Sequence, residues 1–180
     1  LDQGGIVNLR TDLSGRIAVV TGSSKGLGAA TVRVLASLGA VPVVTFNRDE
    51  DAAEAVRADI TRDGQEAYCR QLDMGSVDSI EEFFGWLTGD EGPGGIDIFV
   101  ANAAATSFKD LIDQKPHNVD RTFAISVTGF LEAARWSVPI MKERGGGRLV
   151  AVSGVDTRGW GPTHGLLAAA KAAMEMMVKY

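Results

Sequence analysis

The chain has 180 residues, 45% of them hydrophobic and 23% charged, with 18 basic against 23 acidic side chains and a net charge of −5. That composition suits one globular domain with a sizeable core, and the mild acidity argues against nucleic acid or an anionic membrane as the main partner. No run approaches the roughly 20 apolar residues of a membrane helix, residues 1–10 lack an apolar core of signal-peptide length, and the single cysteine, Cys69, excludes an intrachain disulfide and points to a reducing, cytoplasmic compartment.

Residues 1–15 read as a tail and residues 16–180 as one domain. Arg16–Val20 is a short apolar run that ends in a glycine-rich turn. Ala29–Leu38 has helical spacing and stops at Gly39, and Val41–Phe46 is rich in β-formers. Asp49–Arg62 is helical and is ended by Asp63-Gly64. Ala67–Leu72 is a third strand, and Ser76 is a good N-cap for a helix over Ser76–Leu87. Ile96–Ala101 is a nearly continuous apolar strand. Pro116–Arg144 reads as one long helix with a kink at Pro139, Arg148–Ser153 as a fifth strand, and Thr163–Tyr180 as an Ala- and Met-rich helix. Strands alternating with helices imply βαβ units, hence an α/β, doubly wound, Rossmann-like parallel sheet covered on both faces.

The turn after the first strand is Thr21-Gly22-Ser23-Ser24-Lys25-Gly26-Leu27-Gly28. Glycines allow a sharp turn and close approach of backbone to a pyrophosphate, and the next helix offers unpaired N–H groups there. The spacing T-G-x-x-x-G-x-G resembles the short-chain dehydrogenase/reductase superfamily, and the resemblance runs over residues 14–180. It implies a nicotinamide cofactor held by Gly22, Ser24, Lys25, Gly26, Leu27 and Gly28 in the turn. It also implies Asp73 and Met74 at the adenine, and Asn102 and Ala103 of Ala101-Asn102-Ala103-Ala104 beside the cofactor. Asp73 also reads as a cap before the third helix. Members that prefer NAD carry an acid at the end of the second strand. Here the strand ends Thr45-Phe46-Asn47-Arg48, so Asn47, Arg48 and Lys25 suit the dianionic 2′-phosphate of NADP(H). Family members run to roughly 250 residues, so further strands and a substrate lid are expected after Tyr180.

At the chemical end the sequence departs from the family pattern. The family lysine aligns with Lys171, but its tyrosine, serine and asparagine positions are Leu167, Gly154 and Ser126. Leucine transfers no proton. Enoyl reductases of the same superfamily place their tyrosine seven residues before the lysine, and that position is His164, about 10 Å from Lys171 along one helix face. A neutral imidazole N–H there would polarise a carbonyl, although His164 also reads as a plain helix-start residue. Ser153, one residue before Gly154, is a further donor candidate, or simply ends the fifth strand. Catalytic candidates are therefore Lys171, His164, Ser153 and Ser126. Trp160 is a flat wall for a polycyclic substrate or a subunit contact, His117 is a surface residue, and no metal is expected.

Three readings stay open on the sequence. The first is an NADPH-dependent reductase of a polyketide-like ketone or enone, its proton coming from His164, Ser153, water or the substrate's own hydroxyl. The second is a cofactor-binding regulator, and the third a non-redox isomerase or cyclase. The last helix is apolar around most of its circumference, which implies burial on two sides and a homodimer or homotetramer in which it packs beside Trp136.

Overall fold

The structure, a computed structural model, describes residues 11–180. Five strands form one sheet: β1 Ile17–Val20, β2 Val41–Phe46, β3 Tyr68–Gln71, β4 Ile98–Ala101 and β5 Arg148–Ala151. Their order is β3-β2-β1-β4-β5, and every pair is parallel. Six α-helices connect them: α1 Gly26–Ser37, α2 Glu50–Arg62, α3 Val77–Thr88, α4 Pro116–Phe123, α5 Gly129–Glu143 and α6 Gly165–Val178.

The two-residue period of the strands divides the core into two layers. Val19, Val43 and Phe99 point to one face, where Ile80, Phe83 and Phe84 of α3, Phe130 and Ala133 of α5 and Met174 of α6 cover them. Val20, Val44 and Val100 point to the other face, under Ala29 and Val32 of α1 and Val56 and Ile60 of α2. The doubly wound sheet expected from the alternation is therefore present, with β1 buried along its whole length. The chain steps outward from β1 to β3 and then returns to place β4 on the other side of β1. That reversal opens a crevice at the carboxyl ends of β1 and β4, where α/β sheets bind ligands.

The opposite edge of the sheet is tied by Asp97. Its buried carboxylate accepts from Arg144 Nη2 (2.9 Å), Arg16 Nη1 (3.1 Å) and the Ile17 N–H (2.9 Å). Burial alone would push this carboxyl up, but the bonds from Arg144, the Ile17 N–H and Arg16 outweigh it and hold it below the usual range.

Several boundaries differ from the sequence reading. The expected long helix is two helices, α4 and α5, joined by a π-turn over Ala124–Thr128, and Pro139 lies inside α5 without dividing it. The wider turn comes where α5 begins hard against the backbone carbonyl of Met74, so close that a Cβ on Gly129 would collide with it. The last helix begins at Gly165 because Thr163 takes a left-handed φ of 62°, which leaves His164 at the N-cap position rather than inside the first turn. Strands β3, β4 and β5 are each shorter than expected, at four residues. Nor is α6 buried all round within this chain. Leu166, Ala170 and Met174 enter the core, while Met176 and Val178 face outward.

Candidate active site

The glycine turn is shaped by hydroxyls at the strand ends. Thr45 Oγ1 accepts from the Gly22 N–H (3.0 Å) and donates to the Val20 carbonyl (3.0 Å). Ser23 Oγ donates to the same carbonyl (2.8 Å) and accepts from the Thr45 N–H (2.8 Å). Thr21 Oγ1 accepts from the N–H groups of Asn102 (2.9 Å) and Ala103 (2.8 Å), and the Asn102 amide donates to the carbonyls of Thr21 (2.8 Å) and Gly22 (3.2 Å). Asn102 thus fastens β4 to the turn. Gly22 and Gly26 have left-handed φ values of 64° and 57°. A Cβ on Gly28 would lie 2.5 Å from the Gly22 carbonyl oxygen and 2.8 Å from the Asn102 amide, so only glycine fits. Lys25 occupies the N-cap of α1 without a side-chain cap bond, so no side chain closes the helix N-terminus.

Around this turn runs a groove of about 470 Å³. Gly22, Ser24, Lys25, Asn47, Arg48, Asp73, Met74, Asn102 and Ala103 all line it, nine positions singled out from the sequence. Gly26, Leu27 and Gly28 do not: Leu27 points outward from the first turn of α1, and Gly28 lies buried beneath the turn. Arg48 and Lys25 are exposed and carry no ion pair among the described residues. Asp49, next to Arg48 in the chain, accepts from the Ala52 N–H as the N-cap of α2. Asp73 accepts from the Gly75 N–H (2.8 Å) through Oδ1, which makes a turn before the Ser76 cap.

A second hollow, about 350 Å³, shares Ala104, Ala105 and Arg121 with the groove and is closed by Phe108, Thr122 and Leu167. Leu167, which the resemblance aligns with the family tyrosine, therefore faces the hollow that adjoins the groove. Lys171 lies one turn further along α6, buried, with Nζ donating to the Val152 carbonyl at 2.7 Å. Burial pushes its pKa down, and the Asp156 charge partly opposes that. Ser126 sits in the π-turn, buried, and its Oγ is the buried side-chain polar atom left without a partner among the described residues.

Ser153 turns elsewhere: its exposed hydroxyl donates to Glu175 of α6, which also accepts from Thr157 (2.8 Å). Ser153 lines a separate hollow with Gly154 and Glu175, and neither Lys171 nor Ser126 lines the groove or the hollow that adjoins it. His164 lines a third hollow of about 450 Å³ with Leu111, Trp160 and Pro162, and its ring lies 5.0 Å from that of Phe108 at the edge of the second. Its Nδ1 lies 3.1 Å from Asp156 Oδ2. Trp160 is 90% exposed and His117 is a surface residue. Sequence reasoning missed Asp156, Arg121 and the hydroxyl set Thr21, Ser23 and Thr45. A carboxylate eight residues before His164 was the available signal for Asp156.

A family profile described as short chain dehydrogenase matches residues 16–180. The chain belongs to the short-chain dehydrogenase family. Among its curated relatives, 1-cyclohexenylcarbonyl-CoA reductase of Streptomyces collinus is 32% identical over 165 residues, covering 92% of this chain and 58% of that protein. A versicolorin reductase of Emericella nidulans is 32% identical over 168 residues, covering 93% and 62%. The crystal structure of a metagenomic short-chain oxidoreductase in complex with NADP superposes with a TM-score of 0.85 at 30% identity, covering 92% of this chain and 74% of that one. The chain spans about three fifths of the length of the curated relatives it matches. In this short-chain dehydrogenase the glycine turn keeps the T-G-x-x-x-G-x-G spacing over Thr21–Gly28.

Proposed function

We propose that this chain is the NADP(H)-binding part of a reductase that transfers hydride to a ketone or enone. The observation that carries the reading is the pair of cations, Lys25 and Arg48, without an ion pair among the described residues, at a groove whose acids Asp49 and Asp73 each accept from a backbone N–H. The residues present fit the cofactor. The cradle at Gly22 and Gly28 has no room for a side chain, and the uncapped α1 N-terminus favours an anion. Gly22, Ser24 and Lys25 would hold the pyrophosphate, Lys25 and Arg48 the 2′-phosphate, and Asp73 and Met74 the adenine, with Asn102 and Ala103 leaving space beside the ring. When bound, the reduced cofactor supplies the hydride.

Lys171 uses one N–H on the Val152 carbonyl, and its other two N–H groups suit a ribose clamp. Ser126 would hold a polar atom or water near it, because a buried hydroxyl without a partner is costly. The hollow beyond Leu167, with Phe108 and Trp160 as flat exposed surfaces nearby, suits a polycyclic, polyketide-like carbonyl compound. The names of the two reductase relatives, for an unsaturated acyl-CoA and for versicolorin, support a carbonyl-bearing substrate. Assembly as a homodimer or homotetramer is part of the same reading. Leu131 and Trp136 on α5 and Met176 on α6 are exposed apolar side chains suited to such a contact, which sedimentation at micromolar concentration would detect.

The test is loss of reduced-nicotinamide absorbance when the full-length protein meets NADPH and a set of ketones and enones, with β-tetralone and cyclohexenone as the simplest. Turnover of one class supports the reading. Tight NADPH binding with no turnover of any member would replace it by the cofactor-binding regulator or the non-redox enzyme.

A further inference from the structure

We infer that Asp156 and His164 work as a pair, in which Asp156 is a positioning residue that fixes the His164 ring so that its Nε2 delivers the proton to the substrate oxygen. The inference rests on the reductase reading above and adds a named proton source to it. The 3.1 Å contact joins Asp156 Oδ2 to His164 Nδ1. A carboxylate only accepts, so Nδ1 carries the hydrogen and Nε2 is the free end of the ring. The Asp156 carboxyl is held below its usual range, first by its own backbone N–H and then by the His164 ring.

The departure at Gly154 now has a physical reading. A Cβ built on Gly154 would collide with Asp156 Oδ1. The glycine that replaces the family serine is thus what leaves room for the carboxylate beside His164. Two departures, a glycine for the serine and a leucine for the tyrosine, go with a pair of residues that can perform proton transfer. His164 lies one helical turn before Leu167 on α6, and its ring touches that of Phe108, which edges the hollow Leu167 faces. The charged groups facing His164 are Asp156, Lys109 and Asp110 around its own hollow, with Lys171 behind Asp156.

The step balances. With the reduced cofactor bound, the substrate carbon would receive the hydride and the C=O electron pair would move to oxygen. The Nε2–H bond of imidazolium His164 breaks and an O–H bond forms. The ring is left neutral with its Nδ1–H still donated to Asp156, and it regains a proton from water.

Nitrogen-15 NMR of the ring nitrogens in the full-length protein tests the pairing without turnover, the His164 signals being assigned by their loss in His164→Gln. In the wild type the neutral ring should carry its hydrogen on Nδ1. Asp156→Ala, and Gly154→Ser by displacing the carboxylate, should return it to Nε2. With NADPH and β-tetralone or whichever ketone or enone is turned over, Asp156→Ala should lower kcat by roughly 10²-fold with KM little changed. Asp156→Asn, which can still accept the bond, should recover part of that rate and move the alkaline limb of the profile to lower pH. His117→Ala should leave both readouts unchanged. A neutral ring protonated at Nε2 in the wild type overturns the pairing whatever the turnover. An unchanged kcat in Asp156→Ala overturns the positioning role, whereas absence of turnover in the wild type with every probe overturns the reductase reading itself.

Discussion

The two ends of the crevice are built to different standards of family likeness. At the glycine turn, Gly22, Gly26 and Gly28 keep the family spacing, and every hydroxyl that shapes the turn is bonded to backbone. At the α6 end, the resemblance implies other residues at Leu167, Gly154 and Ser126, the buried Ser126 hydroxyl has no partner among the described residues, and His164 pairs with Asp156. The first end is constrained by geometry, since a Cβ on Gly28 has nowhere to go. The second is constrained only by the need for a proton at the right place, and chemistry can meet that need with other groups.

That contrast can be broken in three ways, beginning with the largest effect. Asp97→Ala is the control at the opposite edge of the sheet. It removes the acceptor for Arg144, Arg16 and the Ile17 N–H and should cost about 3 kcal/mol of unfolding free energy in urea titration, with NADPH affinity unchanged below the transition. Because the folded carboxyl is held below its unfolded value of about 3.9, its contribution is present above that pH. It is lost as pH falls through the folded value, so wild type and variant should converge in stability only in strong acid. A variant as stable as wild type at neutral pH would contradict this.

Lys171→Met sits where the two ends meet. The proposed ribose clamp predicts that it slows hydride transfer by roughly 10²-fold and weakens NADPH binding together. A loss of rate with affinity intact would place Lys171 wholly on the reacting side. Leu167→Tyr is expected to have the smallest effect, within a few-fold of wild-type turnover, since Gly154 and Ser126 no longer support a phenol there. A large gain would mean that the old reacting half survives and lacks only its acid.

Much of this arrangement was legible in the sequence, for reasons that differ by residue. Strand–helix alternation and Gly39 as a stop follow from local physics, and the structure agrees. Nine of the positions named for the cofactor face one groove, because a turn motif fixes its own neighbourhood. The π-turn over Ala124–Thr128 was hidden, since it lies where Gly129 packs against the Met74 carbonyl, a contact between distant segments. Ser153 read as pointing to the site, yet Glu175, one and a half helices away in sequence, captures its hydroxyl. Asp156 was missed for the same reason: its meaning depends on His164 and Gly154 folding around it. Cys69, read as a reduced cysteine, is pushed up to about 12 by burial and then by Glu54, so it stays a thiol at neutral pH.

The central claim is that the binding half is intact and built for a 2′-phosphate. Calorimetric titration of the full-length protein with NADPH and with NADH tests it most directly. The account predicts that NADPH binds at least about tenfold more tightly, a difference of about 1.4 kcal/mol, and that Lys25→Ala with Arg48→Ala removes the preference. Equal affinity for the two cofactors, or a preference that survives loss of both cations, would contradict it.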